Sequence, residues 1–295
     1  MEDYIQDFKT YLQERKSVSA NTLDSYLRDI SGFIVYMNAN GKKNISKCSG
    51  KDLQGYVGYL NEQGLSSATL MRNASSLRAY FSFLMSENII SLNPASNIKT
   101  EKKKKFAPRI LTGEEVDLLL NQPKNTSPKG IRDKAMLELL YATGIRVSEL
   151  INLNTCDINI NLGFIRCGEG FGERIIPLYQ AAIKAIEKYM QSSRALLLHG
   201  KDEDALFVNL KGERMSRQGF WKLIKQYQQE SGIETELTPN TLRHSFAVHL
   251  LENGADIADV KKLMGHADVS STKAYANHIK KDLKHTYARV HPKAK

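Results

Sequence analysis

Residues 98–109, IKTEKKKKFAPR, constrain the fold more than any other stretch of the 295-residue chain. Four consecutive lysines repel one another and resist burial, and Pro108 lacks a backbone N–H, so no core helix or strand can pass through this stretch. We therefore expect a linker here and two domains, residues 1–105 and 106–295. Two interpretations of the lysines stay open: a solvated charge run, or a strap along a phosphate backbone.

The first unit has the pattern of a small helical bundle. Apolar side chains recur every three or four residues in segments 3–15, 21–37 and 66–88, as in amphipathic helices. Short polar stretches separate these segments, which favours four or so helices with tight connections. Asn21 is the expected N-cap of the second segment.

The second unit mixes helices with short strands. Thr112 and Glu115 have the spacing of a capping box, and Gly144 is placed to end the helix that follows. The β-rich runs 163–167 and 174–178 flank a glycine-rich stretch, which predicts a hairpin. The predicted fold is therefore mainly α with a small sheet (α+β), with an N-terminal helical bundle followed by an α+β domain.

Charge narrows the class of partner. Lys and Arg total 42 against 32 acidic residues, a net charge of +10 that suits a polyanion, nucleic acid first. No apolar run approaches the roughly 18 residues of a membrane span, and the first ten residues lack the apolar core of a signal peptide. We therefore expect a cytoplasmic protein without a membrane span. The three cysteines form no CxxC pair, and no HExxH or Walker lysine motif occurs, so neither metal nor cofactor is expected.

Two arginines lie where helices are expected to begin. Arg146 precedes Glu149 by three residues on one face, where the carboxylate can orient the guanidinium; a surface ion pair is the alternative. Asn240 and Arg243 share a face near another helix start, whose N–H groups and dipole favour an anion. A solvated helix face is the alternative there.

Three further candidates lie at turns or beyond them. His266 follows a helix-ending glycine, and Tyr275 lies nine residues on; a hydrogen-bonded turn histidine and one ordinary tyrosine among 13 are the alternatives. Glu169 lies between two glycines at the hairpin tip, either a tight turn or a mobile finger. Because no metal motif occurs, arginines and a side-chain nucleophile would have to cleave any phosphodiester here.

Taken in order, these motifs resemble the tyrosine recombinases, specifically the Xer type. The resemblance rests on Arg146 in YATGIRVSEL, Arg243 in TLRHSFAVHLLENGAD, and His266 and Tyr275 in LMGHADVSSTKAY. It covers nearly the whole chain. Residues 19–33 resemble the family's DNA-clamping domain. Residues 93–120 resemble its linker and the start of its catalytic domain. Residues 278–294 resemble the C-terminal helix that docks onto a neighbouring protomer.

The resemblance implies a reaction. Tyr275 would attack a DNA phosphate to give a 3′-phosphotyrosyl bond and a 5′-hydroxyl. Arg146 and Arg243 would hold the non-bridging oxygens, and His266 would orient the phosphate or accept the tyrosine proton. The partner would be double-stranded DNA, bound by a tetramer that is homomeric or shared with a paralogous recombinase. Chromosome-dimer resolution and mobile-element integration both stay open.

Two positions depart from the family pattern. Asn240 stands where a histidine is usual, and it can donate a hydrogen bond but cannot carry a proton or a charge. Glu169 stands where a lysine usually protonates the leaving oxygen; a carboxylate about 4 Å from a phosphate costs about 4 kcal/mol at an effective dielectric near 20. The nearby Arg166 and Arg174 keep their protons and make poor acids.

These departures leave three hypotheses. The first is a site-specific recombinase whose activity is attenuated or depends on a partner. The second is a catalytically impaired DNA-binding accessory protein of the same fold. The third is a relaxing topoisomerase with the same catalytic logic, which the clamp and the docking helix disfavour.

Overall fold

The computed structural model describes residues 4–42, 44–98, 109–168, 173–234 and 236–265. The chain separates into two compact units, Met1–Lys105 and Phe106–Lys295. Each unit has its own hydrophobic core and is described by itself. Among the described residues, no helix is both long enough and apolar enough to cross a membrane.

The N-terminal unit is a bundle of helices, as predicted. Its described helices are α1 (Ile5–Glu14), α2 (Ala20–Ala39), α3 (Gly50–Glu62) and α4 (Ser67–Ser86). The prediction that Asn21 caps α2 is wrong. The cap is Ser19, whose hydroxyl accepts from the N–H of Thr22 at 3.3 Å, because the helix begins at Ala20, two residues earlier than a cap at Asn21 implies.

Aromatic rings and one buried ion pair hold α1, α2 and α4 together. The rings of Phe8 and Tyr80 meet edge to face at 5.1 Å between centroids. Asp29 on α2 is buried and accepts from Arg72 Nη1 at 2.8 Å and from the Ser76 hydroxyl at 2.7 Å, both on α4. These bonds satisfy a carboxylate whose burial would otherwise be costly.

The C-terminal unit places a small sheet among helices, so the predicted fold class is confirmed. Its described helices are α5 (Gly113–Leu120), α6 (Pro128–Thr143), α7 (Val147–Asn152), α8 (Gln180–Ser192), α9 (Arg194–Leu198), α10 (Arg217–Ser231), α11 (Pro239–Glu252) and α12 (Ile257–Met264). Its described strands are β1 (Ile158–Asn159), β2 (Phe164–Cys167) and β3 (Arg174–Pro177), antiparallel in the order β1-β2-β3. The predicted hairpin is β2–β3, and Cys167 pairs with Arg174 at the strand ends next to the glycine-rich stretch.

The first helix of this unit begins where the sequence predicts. Thr112 and Glu115 form the predicted capping box of α5, with reciprocal bonds of 3.1 and 2.8 Å. Leu111 is fastened to α11: its N–H donates to Ser245 Oγ at 2.8 Å, and its carbonyl lies 2.9 Å from His249 Nε2. The first residues of the unit are thereby tied to the helix that carries Arg243.

Candidate active site

The chain turns sharply between α6 and α7, and Gly144 makes this turn. Gly144 ends α6 in the left-handed conformation with a φ of 57°, as predicted for a helix-ending glycine. A Cβ here would lie 2.2 Å from Cδ1 of Phe246, a buried ring on α11. Only glycine satisfies both the backbone conformation and the close approach. The turn brings Arg146 to the N-terminus of α7.

Arg146 is fixed by two partners. Its backbone N–H donates to Glu149 Oε2 at 2.7 Å, and its Nη1 donates to Glu149 Oε1 at 3.3 Å. Its Nη2 donates to the carbonyl of Gly265 at 2.9 Å. The predicted contact between Arg146 and Glu149 is therefore confirmed. The side chain remains 46% exposed, so a bound anion can reach the guanidinium.

Arg243 lies in the second turn of α11 and is only 4% exposed. The helix begins as predicted, with the Thr238 hydroxyl accepting from the N–H of Thr241 at 3.2 Å. Arg243 donates through Nη1 to the carbonyl of Gly144 and through Nη2 to that of Met264, the second at 2.6 Å. These two bonds set the plane of the guanidinium.

Asn240 is the second residue of α11 and is exposed. It precedes Arg243 by three residues, so the two lie on one side of the helix. The first N–H groups of a helix and its dipole favour an anion at this end. Binding of an anion by Asn240 stays a prediction.

A third arginine, Arg174 at the start of β3, completes the cluster. It meets Glu149 with two parallel bonds, Nη1 to Oε1 at 3.0 Å and Nη2 to Oε2 at 3.1 Å. Its Nε donates to the carbonyl of Leu263 at 2.8 Å. Its side chain is 13% exposed. Arg174 thus joins β3 to the first turn of α7 and to the end of α12.

The C-terminal end of α12 gathers all three guanidinium groups. Each of its last carbonyls accepts a hydrogen bond from one arginine. Arg174 donates to residue 263, Arg243 to residue 264 and Arg146 to residue 265. The last carbonyls of a helix have no partner within it and carry partial negative charge. Three elements distant in sequence therefore present their cations at one place.

The carboxylate of Glu149 pairs with both Arg146 and Arg174. Burial raises its pKa, but hydrogen bonds from Arg174 and from the backbone of Arg146, with the charges of both, outweigh burial, so the pKa lies below its usual range. Glu149 is therefore ionised at neutral pH. Arg146 and Arg174 carry two positive charges against this one carboxylate, so the three side chains together are net positive, as a phosphate site requires.

Three predicted site residues, Glu169, His266 and Tyr275, lie outside the described residues. His266 directly follows Gly265 in sequence, and therefore follows the turn that accepts from Arg146. The sequence interpretation missed Arg174 as part of the site, having considered it only as a proton donor. The signal available was an arginine immediately after the glycine-rich stretch. No His, Cys, Asp and Glu cluster able to hold a metal occurs in the described ranges.

Comparison with known proteins shows which family the chain belongs to. The phage integrase family model matches residues 109–282, and the model of the phage integrase N-terminal SAM-like domain matches residues 5–88. Tyrosine recombinase XerD of Oceanobacillus iheyensis is 46% identical over 297 residues, with all of both chains covered. Tyrosine recombinase XerD of Listeria monocytogenes serotype 4b is 42% identical over the same span, again with both chains fully covered.

Solved structures show the same fold. The crystal structure of XerA recombinase matches 98% of this chain and 98% of its own, at 25% identity and a TM-score of 0.56. The post-cleavage complex of XerH site-specific recombinase with palindromic difH substrate matches 96% of this chain and 84% of its own, at 20% identity and a TM-score of 0.74. The full-length identity and the family models together show that the chain belongs to the phage integrase family and is a site-specific tyrosine recombinase of the Xer type.

Proposed function

We propose that the chain cleaves and rejoins double-stranded DNA through a 3′-phosphotyrosyl intermediate on Tyr275. The observation that carries the proposal is the convergence of Arg146 and Arg243 on the turn that immediately precedes His266. Two guanidinium groups held by carbonyls at one helix end form a preorganised clamp for a phosphate. The net charge of +10 and the DNA complexes of its structural neighbours support DNA as the polyanion.

The proposed chemical step needs no cofactor. The phenolic oxygen of Tyr275 attacks phosphorus, its proton passes to a base such as His266, and the bond from phosphorus to the 5′ oxygen breaks. That oxygen takes up a proton and leaves as a hydroxyl. Arg146 and Arg243 stabilise the extra negative charge of the pentacoordinate phosphorus. In the reverse direction a 5′-hydroxyl attacks the phosphotyrosine, so the covalent bond conserves the energy needed for rejoining.

Asn240 and Glu169 support a slow or partner-dependent enzyme. Asn240 lies exposed at the start of α11, where its amide can donate to a phosphate oxygen but cannot add positive charge. Glu169 would place a carboxylate where the family uses a lysine acid. We propose that a neighbouring recombinase protomer in a tetramer on DNA, identical or paralogous, offsets this loss. Residues 1–105 would clamp the DNA, residues 106–295 would catalyse, and the protein would act in the cytoplasm on chromosomal DNA.

A catalytically impaired accessory protein of the same fold is the second candidate, and the same two residues favour it. The two functions separate in one assay. Fragments that the protein selects from its own genomic DNA supply the site, and a nicked suicide duplex of that site then traps cleavage as an SDS-resistant adduct. We expect an adduct with the wild type and none with Tyr275→Phe.

The matched control is Tyr287→Phe, which alters the other tyrosine of residues 266–295 and should leave the adduct intact. DNA binding without any adduct, even with excess paralogous recombinase present, would overturn the proposal of an enzyme. The accessory DNA-binding protein would then be the remaining function.

A further inference from the structure

Arg174 contacts both groups that hold Arg146. It pairs with Glu149 through two parallel bonds of 3.0 and 3.1 Å. It also lies against Gly265, where an added Cβ would be 2.8 Å from Cζ of Arg174, and it donates to the carbonyl of Leu263 two residues earlier. Arg146 in turn donates its two side-chain bonds to the carboxylate of Glu149 and to the carbonyl of Gly265. Arg174 therefore constrains the positions of both partners of Arg146.

We propose that Arg174 is a positioning residue that sets the geometry and the effective charge of Arg146 for phosphate binding in the transition state. The inference rests on the proposed cleavage function, and it assigns Arg174 no contact with DNA. Its side chain is 13% exposed, against 46% for Arg146, so Arg174 faces the protein while Arg146 faces solvent, where a phosphate can reach it.

Arg174 also affects the effective charge of Arg146, through their shared partner Glu149. Alone with Arg146, the carboxylate of Glu149 would cancel the guanidinium charge that a phosphate needs. Arg174 occupies both oxygens of that carboxylate and shares its charge, so the three groups together keep one net positive charge. The bond from Arg146 to Glu149, at 3.3 Å, is the longest of the side-chain bonds to this carboxylate. Glu149 therefore orients Arg146 without neutralising it.

Arg174 also packs against the C-terminal end of α12. Gly265 has a φ of 61°, and its lack of a side chain lets the Arg174 guanidinium lie directly against the turn. Together with the bond to Leu263, this contact holds the Gly265 carbonyl toward Arg146. A lysine at position 174 would keep the charge but would lose the planar fork that engages Glu149 and Leu263 at once.

The test measures cleavage and binding separately in Arg174→Met and Arg174→Lys, with the nicked duplex at saturation. We expect the rate of adduct formation to fall about 10- to 100-fold in the methionine variant, the size of effect that misplaced catalytic groups produce. The lysine variant should recover part of the loss, and the Kd for DNA should change less than twofold in both. An equal loss in rate and in DNA affinity would overturn the inference.

Arg194→Met is the matched control. Arg194 is another partly buried arginine of this unit that donates to a carbonyl, that of Ala205, at 2.7 Å. The Arg194→Met variant should have a lower Tm, but its rate of adduct formation per folded molecule should be unchanged. A comparable rate loss in Arg194→Met and Arg174→Met would mean that Arg174 is merely structural and would overturn the inference.

A second readout needs no cleavage at all. Titration of the Glu149 carboxyl by carbon-13 NMR should show a higher pKa in Arg174→Met than in the wild type, because a hydrogen-bond donor and a positive charge are removed. The carboxylate of Glu149 also interacts with Arg146 and with the Cys167 thiol of β2. Failure of the proposed function would remove the wild-type adduct and leave this shift, whereas an unchanged Glu149 pKa would overturn the role of Arg174.

Discussion

Replacement of Gly144 by alanine is expected to destabilise the C-terminal unit through its backbone conformation and through one steric contact. The residue has a left-handed φ of 57°, and its new methyl group would lie 2.2 Å from the ring of Phe246. A non-glycine residue in this region costs roughly 1–2 kcal/mol, and a methyl forced into filled space adds about 1–3 kcal/mol. We therefore expect Gly144→Ala to lower the free energy of unfolding by about 2–5 kcal/mol, a Tm loss on the order of 10 °C.

The single tryptophan provides the assay. Trp221 lies on α10, so its fluorescence during urea unfolding reports the C-terminal unit. Gly232→Ala is the matched control: Gly232 also ends a helix, with a φ of 68°, but an added Cβ would meet nothing within 4 Å. It should show the backbone cost of roughly 1–2 kcal/mol alone. Equal losses in the two variants would refute the steric reasoning.

A double variant isolates the ring contact further. Phe246→Leu makes room for the methyl group, so Gly144→Ala should cost less in that background than in the wild type. The adduct rate should also fall in Gly144→Ala beyond its loss of folded protein, because the Gly144 carbonyl accepts from Arg243. Additive losses in the double variant would show that the methyl group does not meet the ring.

Three further predictions concern the active site. Glu169→Lys should speed adduct formation at least about tenfold if the missing acid limits cleavage; an unchanged or slower rate would contradict this. Asn240→His should raise the same rate by a smaller factor, because it restores a chargeable donor at the exposed start of α11, and a rate no higher than that of the wild type would count against it. The lowered pKa of Glu149 means that its stabilising contribution is present above its unfolded value, about 4.3, and is lost as the pH falls through the folded value. Thermal melts should therefore show a loss of stability below about pH 4.3 that is smaller in Glu149→Gln than in the wild type, and identical profiles would contradict it.

Local signals were sufficient for most of the architecture. The capping box at Thr112, the glycine that ends α6 and the two β-rich runs each act over a few residues, and each predicted its element. The two-residue strand β1 escaped prediction because it is too short to show an alternating pattern. The cap of α2 was misplaced from Ser19 to Asn21 because both residues are good N-caps and periodicity fixes a helix start only to within a turn.

The site itself was predictable only in part. The pairing of Arg146 with Glu149 spans three residues and can be read from helix geometry. The role of Arg174 cannot, since its partners lie 25 residues before it and 89 residues after it. Likewise, nothing local to Gly144 indicates that Phe246 lies against it. Such contacts depend on how α7, β3, α11 and α12 pack, which no local pattern specifies.

The most direct measurement is the chemical identity of the trapped protein–DNA bond. Trypsin should release residue 275 in the peptide AYANHIK, residues 274–280, from an adduct formed on the suicide duplex. Mass spectrometry should find this peptide joined through its tyrosine to a 3′-phosphate, with a free 5′-hydroxyl on the other DNA end. A nucleotide on any other residue, such as Tyr287, or no covalent product from folded and DNA-bound protein, would contradict the proposed mechanism.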